Sequence, residues 1–247
     1  MDPILRFDVL SLFPKTLDGF VGESIIARAI DSGLVEINSL DLRRWAKGKH
    51  RETDDRPFGG GAGMVMKPEP LFSAVEDISS DSTTVIYMAP DGEKLDTPMC
   101  KELAQEQHIL IISGHYEGVD QRVIDKYVDE EISIGDFVLS GGEYAAICLI
   151  DAVSRHIPGV LGNKDSYLKD TFSDGLLKGN VYTKPEIFES MRVPEVLLSG
   201  NHKEIEKWKT ENSLVQTLVK RPDLLNKKKL SKKQRKLLEE LTSKAIL

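Results

Sequence analysis

The sequence predicts an α/β domain with a parallel sheet, followed by a small all-α domain. Three apolar strand segments, residues 85–88, 109–113 and 132–134, carry the first prediction. Continuous apolar strands are typical of sheets that are buried on both faces, as parallel sheets are. The connections between them, about 20 residues long, suffice for helical crossovers. Apolar residues at helical spacing after residue 202 predict the second, helical domain.

The first half of the chain alternates strand and helix patterns. Residues 6–12 alternate apolar and polar side chains and predict a strand. A helix is predicted over 23–31, with Gly33 suited to the left-handed position after its end. A second strand is expected over 35–42 and a second helix over 69–78.

Between that strand and that helix lies an irregular segment, residues 43–64. It holds a basic run and then the glycines 59–61 and 63. Long irregular loops in compact domains are usually functional or disordered. This one is not low in complexity, so we favour a function. No Gly-Lys-Ser/Thr follows the glycines, so it does not match a P-loop.

Residues 129–151 are the part of the sequence that says most about a possible ligand site. A short strand is followed by a turn at Gly135 and a break at Gly141-Gly142. The spacing of Ser140 and Glu143 predicts a capping box. Residues 143–157 are apolar nearly all round, which predicts a buried helix.

Each of the three apolar strands runs into a glycine-containing loop, at 89–92, 114–120 and 135–142. Parallel pairing brings these loops to the carboxyl edge of the sheet, where open α/β sheets bind ligands. The alternative is that the glycines serve only tight packing, but three converging loops favour a ligand site.

Composition and charge divide the chain. From residue 176 onward there are 16 Lys or Arg against 9 Asp or Glu, within a chain of net charge −7. A basic tail suggests a polyanionic partner, with a solvated Lys-rich helix as the alternative. Helices are expected over about 202–220 and 231–246, and residues 162–175 are polar and turn-rich, which predicts a linker. The predicted domains are therefore 1–161 and 176–247.

Several classes are disfavoured. No apolar run approaches the ~18 residues of a membrane span, and no signal-peptide pattern is present, so we expect a cytoplasmic protein without membrane contact. Cys100 and Cys148 both lie in apolar helical patterns and are predicted to be buried thiols. The five histidines show no metal-ligand spacing, so no metal site is assigned.

Five motifs in order, residues 54–66, 114–120, 133–143, 157–162 and 197–202, carry a family resemblance. Together they resemble the TrmD family of bacterial tRNA (guanine-N1)-methyltransferases, within the SPOUT superfamily, over residues from the first strand to about Trp208. The resemblance implies a deep C-terminal trefoil knot, an exception to the rule that chains are unknotted. It also implies a homodimer with active sites shared between protomers.

The implied reaction is methylation of N1 of the guanosine immediately 3′ of the tRNA anticodon, with S-adenosyl-L-methionine as donor. The family's reaction is associated with Mg²⁺, for which the sequence offers no ligand cluster. By the same resemblance the donor would be bound by residues of the three loops: Tyr87, Met88, Ala89, Pro90, Gly114, Tyr116, Glu117, Gly118, Ile134, Gly135, Asp136, Phe137, Val138, Leu139, Gly141 and Gly142.

The resemblance also implies the catalytic and tRNA-binding residues. Asp170 would be the general base that removes the N1 proton, and Arg155 would stabilise negative charge on guanine O6. From the residues alone, Asp170 is one of several linker acids, with Asp165 and Asp174. The tRNA-facing surface would include Tyr182, Thr183, Lys184, Ser199, Asn201 and His202.

The chain departs from the family pattern at His115 and Lys184, where Arg is common, and at Lys178, where Asp is common. Arg and Lys are not equivalent at a bidentate contact, so the details of tRNA binding are in question. Two alternatives stay open: a related knotted methyltransferase that acts on ribosomal RNA, and a non-enzymatic RNA-binding module.

Overall fold

The computed structural model describes residues 4–162, 170–227, 230 and 232–245. The chain forms two compact units, Met1–Lys164 and Asp165–Leu247. The predicted linker, 162–175, lies in part outside the described residues, because 163–169 are not among them.

The first unit is built on a five-stranded sheet with strand order β2-β1-β6-β5-β7. Every pairing in it is parallel, which confirms the sheet predicted from the apolar strands. A separate antiparallel pair, β3 with β4, interrupts the irregular segment. The strands are β1 Leu5–Ser11, β2 Val35–Asp41, β3 Asp54–Asp55, β4 Val65–Met66, β5 Thr83–Lys94, β6 His108–Ser113 and β7 Glu130–Ser133.

Helices cover both faces of this sheet, so the unit has three layers. The helices are α1 Asp18–Val21, α2 Ser24–Asp31, α3 Pro68–Ile78, α4 Thr97–Leu103, α5 Gln121–Tyr127 and α6 Glu143–Ser154, with short 3₁₀ turns at Pro14–Leu17 and Leu42–Arg44. Alternate strand residues divide between two cores, because side chains of a strand point to opposite faces. Phe7 and Ile111 pack with α4 and α6, whereas Leu110 and Ile112 pack with α3 and α5.

The loop predicted at 89–92 lies instead within β5, which continues to Lys94 through a shift in register. Met88 and Glu93 both pair with Ile132 of β7. A β-carbon at Gly92 would lie 2.5 Å from the backbone carbonyl of Glu131, so this close approach requires glycine. The sequence pattern missed this because a Pro-Asp-Gly run reads as a turn.

The capping box predicted at the start of α6 is wrong. Gly142 is the N-cap and no side chain caps the helix. Ser140 is exposed, and the carboxylate of Glu143 turns inward to other partners. The prediction of burial all round is also wrong, because Tyr144 is 61% exposed and Cys148 is exposed.

The two cysteines differ, contrary to the prediction that both are buried. Cys100 packs in the core, and burial, followed by the charge of Asp96, raises the pKa of its thiol to about 11. Cys148 lies on the open face of α6. Periodicity could not separate them because the open face of this helix also carries apolar side chains.

The second unit is mainly helical, with one departure from the all-α prediction. An antiparallel pair, β8 Ile187–Phe188 with β9 Met191–Arg192, precedes the helices. Leu214 and Thr217 of the longest helix are buried, and the Thr217 hydroxyl accepts a hydrogen bond from Leu177 N at 3.0 Å. The helices are α7 Glu195–Leu198, α8 His202–Lys220, α9 Pro222–Lys227 and α10 Lys232–Ala245. Within the residues described, no helix has the length and apolar character needed to cross a bilayer.

Candidate functional site

A cavity of about 500 Å³ opens at the carboxyl edge of the parallel sheet. Its walls come from the end of β5, the loop after β6 and the loop between β7 and α6. Of the sixteen residues predicted for donor binding, the structure brings fifteen to this cavity. The sixteenth, Asp136, is exposed and forms an ion pair with Lys94 at 3.4 Å.

Two glycines allow the walls to meet closely. A β-carbon at Gly114 would lie 2.9 Å from the ring of Tyr87. One at Gly142 would lie 2.8 Å from Ser113 Cα, and Gly142 N donates a hydrogen bond to Gly114 O at 2.9 Å. Any side chain at either position would push two walls apart, so these glycines set the shape of the cavity.

A buried polar cluster supports the same corner, and Glu143 takes part in it in place of the predicted capping box. Glu143 is 3% exposed, Ser11 Oγ donates to its Oε1, and His115 Nε2 lies 2.8 Å from its Oε2. The imidazole also packs against Gly141, where a β-carbon would lie 2.2 Å from Nε2. The signal available in the sequence was a carboxylate at the start of a largely apolar helix.

The cavity carries negative charge. Asp91, Glu117 and Glu131 line it, and among the residues that the structure describes no Lys or Arg does. Burial raises the pKa of Tyr87; a backbone hydrogen bond with Val119 opposes this rise, and the charges of Asp91 and Glu131 add to it. Such a lining favours a ligand with a positive centre.

The Gly-rich irregular segment approaches the cavity from the side. Met66 N donates to Gly118 O at 2.9 Å, and Glu117 N donates to Met64 O at 2.9 Å. A β-carbon at Gly63 would meet the carboxylate of Glu117 at 2.5 Å. The segment before α3 is therefore joined to the second loop of the cavity.

Neither residue predicted to be catalytic is among those that line the cavity. Arg155 is the C-cap of α6, whereas Gly142 and Ala145 at the start of that helix line the cavity. At 1.5 Å per residue the helix separates Arg155 from Ala145 by about 15 Å and from Gly142 by about 20 Å. Asp170 belongs to the second unit, where its Oδ1 accepts a hydrogen bond from Thr171 N at 3.0 Å and lies 3.9 Å from Lys178 Nζ.

The six residues predicted to face tRNA are all exposed in the second unit. Tyr182, Thr183 and Lys184 precede β8. Asn201 is the N-cap of α8 and its Oδ1 accepts from Glu204 N at 3.4 Å, while Ser199 Oγ accepts from Asn201 N at 3.2 Å. Ser199 and Asn201 therefore also shape the entry to α8. In the described part of the chain, no group of three His, Cys, Asp or Glu side chains could hold a metal ion.

Fold and site together define a class: a parallel α/β domain with a glycine-walled, acid-lined cavity at its carboxyl edge, followed by a helical unit. A profile of the family tRNA (Guanine-1)-methyltransferase TrmD matches residues 5–227. The chain belongs to this family.

Curated relatives agree over almost the whole chain. A tRNA (guanine-N(1)-)-methyltransferase of Fusobacterium nucleatum is 49% identical, over 98% of this chain and 100% of its own length. A Geotalea uraniireducens protein of the same name is 51% identical, over 96% of this chain and 97% of its own. A protein of the same name from Staphylococcus carnosus is 48% identical, over 95% of this chain and 96% of its own length.

Proposed function

We propose that the protein transfers a methyl group from S-adenosyl-L-methionine to N1 of the guanosine immediately 3′ of the anticodon of tRNA. The names of its relatives supply the acceptor class. The observation that carries the proposal is the cavity at the sheet edge, whose glycine-lined walls and acidic lining suit the donor.

The cavity fits this donor in size, shape and charge. Its volume, about 500 Å³, lies within the range of cofactor sites. Phe137, Val138 and Leu139 provide apolar wall for an adenine ring, and the glycines leave room for close contact with backbone groups. The carboxylates of Asp91, Glu117 and Glu131 favour a cation. When bound, the donor supplies an electrophilic methyl group on a sulfonium.

The acceptor atom is a poor nucleophile, because N1 of guanine carries a proton and is weakly basic. We assign the carboxylate of Asp170 as the base that takes this proton as the new bond forms. The guanidinium of Arg155 then stabilises the negative charge that develops on O6. Both assignments rest on the family resemblance and on the chemistry that the acceptor requires.

The distance along α6 supports an active site that two copies of the chain share. By the rise of the helix, Arg155 lies about 15–20 Å from Ala145 and Gly142, the residues of α6 that line the cavity of its own chain. An active site that uses the cavity and Arg155 together therefore needs the Arg155 of a second copy. The exposed Tyr144 on α6 and Phe137 beside the cavity offer apolar surface for such a dimer. We include the trefoil knot in this proposal. Among the described residues no group of side chains suggests a Mg²⁺ site.

Methylation assays with two acceptors test the proposal. Purified protein with methyl-labelled donor is expected to label unmodified tRNA and to leave ribosomal RNA unlabelled. Labelling of ribosomal RNA alone would favour a related knotted enzyme with that acceptor. Calorimetry that detects no binding of S-adenosylmethionine would instead favour a non-enzymatic RNA-binding module.

A complementation experiment tests the shared site. Gly142→Ala and Asp170→Ala chains, each with a different affinity tag, are co-expressed and the mixed dimer is purified through both tags. At a donor concentration that saturates wild type but not Gly142→Ala, a shared site predicts one intact site per mixed dimer and about half of wild-type activity, although each variant alone is far less active. If the mixed dimer is as inactive as its parents, the cavity and the base act within one chain.

A further inference from the structure

A run of cations in the first unit has no role in the site described above. It is the basic segment, residues 43–51, which holds five Lys or Arg and no Asp or Glu. The surrounding unit is acidic, with 28 Asp or Glu against 16 Lys or Arg over residues 1–164. Nearly a third of the cations of this unit therefore lie within nine residues.

One of the five cations has a structural partner. The guanidinium of Arg43 donates to Leu12 O at 2.6 Å and lies 3.4 Å from the carboxylate of Asp41. It stabilises the turn that follows β2 and is half-exposed. The charge of Arg43 is therefore largely neutralised by contacts within the protein.

The other four cations point to solvent. Arg44, Lys47, Lys49 and Arg51 are exposed, and within the described residues they form neither an ion pair nor a side-chain hydrogen bond. Gly48 has φ +85° and Arg51 has φ +48°, so the segment turns sharply and presents its cations at a tip. Four cations without such partners within eight residues make a local positive surface on an acidic body.

This tip is connected to the cavity through a short chain of backbone contacts. Thr53 O accepts from Lys67 N at 2.8 Å, and Asp54 pairs with Met66. Met66 N in turn donates to Gly118 O, which belongs to the second cavity loop. The end of the basic segment is therefore two residues from Thr53, which these bonds join to a loop that lines the cavity.

We propose that the basic segment binds phosphates of the tRNA that flank the target nucleotide. The inference rests on the proposed function and adds a second substrate-binding surface, in the unit that holds the cavity. The reason is electrostatic. The cavity lining of Asp91, Glu117 and Glu131 repels an approaching polyanion, so the nucleotide needs cations nearby that hold its neighbours. Lys47 and Lys49 can reach phosphate without losing a partner.

The test compares two double variants. Lys47→Ala/Lys49→Ala removes two exposed cations from the segment, and Lys15→Ala/Arg28→Ala removes two exposed cations from elsewhere in the same unit. Each phosphate contact to flexible RNA contributes about 0.7 to the slope of log affinity against log salt. Loss of two contacts therefore lowers the slope by about 1.4 and, at about 0.1 M salt, weakens tRNA binding about 25-fold.

Three readouts separate the outcomes. For the Lys47→Ala/Lys49→Ala variant we expect weaker tRNA binding, a flatter salt dependence, and unchanged donor affinity, because neither side chain lines the cavity. The control variant should match wild type in all three. Unchanged tRNA affinity and slope, in a protein whose wild type methylates tRNA, would show that the segment is only a solvated surface. A wild type that does not methylate tRNA would refute the proposed function instead.

Discussion

Replacement of Gly142 by alanine is the sharpest test of the cavity. The new β-carbon would lie 2.8 Å from Ser113 Cα and 3.0 Å from Gly114 N, both backbone atoms that no rotamer change can move. The backbone of Gly142 is in the right-handed helical region, so alanine adds no torsional penalty. Overpacking of this kind costs about 1–3 kcal/mol. Because the strained atoms form two cavity walls, we expect donor affinity to fall by about 5- to 150-fold.

Calorimetry with S-adenosylmethionine measures this effect, and thermal unfolding measures how much of the cost falls on the fold itself. Gly19→Ala is the matched control, since a β-carbon there would meet nothing within 4 Å and the residue lies in α1. The control should bind donor normally and unfold at the same or a slightly higher temperature. Donor affinity equal to wild type in Gly142→Ala would refute the assignment of this corner as a cavity wall.

Three further results are expected. Asp170→Ala should keep donor affinity and lose about 10²- to 10⁴-fold in the rate of methyl transfer, so normal single-turnover rates would remove Asp170 as the base. Deletion of residues 176–247 should weaken tRNA binding and flatten its salt dependence. An unchanged affinity in filter binding would show that the basic tail does not bind tRNA. Burial acts to raise the pKa of Asp8. Its hydrogen bonds, of which the one with His108 has the largest effect, outweigh burial and lower the pKa overall. The stability that Asp8 adds is therefore present above about pH 4 and lost as pH falls below it, so Asp8→Asn should flatten the acid limb of urea unfolding.

The parallel sheet could be predicted from sequence because its signal is local. Residues 109–112 form an unbroken apolar run, followed by Ser113 and a glycine, and such a run is typical of a strand that is buried on both faces. The structure begins β6 one residue earlier, at His108. The rule for parallel strands then predicted correctly that the loops after β6 and β7 meet at one edge, although the third wall is the end of β5 and not a loop.

The role of Glu143 could not be predicted in this way. Its spacing from Ser140 matches a local cap, but its carboxylate bonds to Ser11, which is 132 residues away in sequence. The His115 imidazole completes the cluster from a third element. Local spacing does not show which distant side chain will contact a buried carboxylate. The partners of Glu143 could therefore be identified only from the three-dimensional structure.

The distance between Arg155 and the cavity is a second feature that sequence proximity obscured. The residue follows the Gly-rich stretch closely along the chain, which suggests a common site. A straight helix of twelve residues separates the two in space. The same helix leaves Cys148 and Tyr144 exposed in one chain, which an apolar pattern could not distinguish from a buried face.

We propose that this chain methylates one guanosine of tRNA with a donor bound in the cavity at the edge of its sheet. The most direct test uses two tRNA transcripts that differ only in the nucleotide 3′ of the anticodon, guanosine or adenosine. With wild-type protein and S-adenosylmethionine, mass spectrometry should find N1-methylguanosine at that position in the first transcript and no methylation in the second. Absence of methylation in both transcripts, or methyl groups elsewhere in the tRNA, would contradict the account.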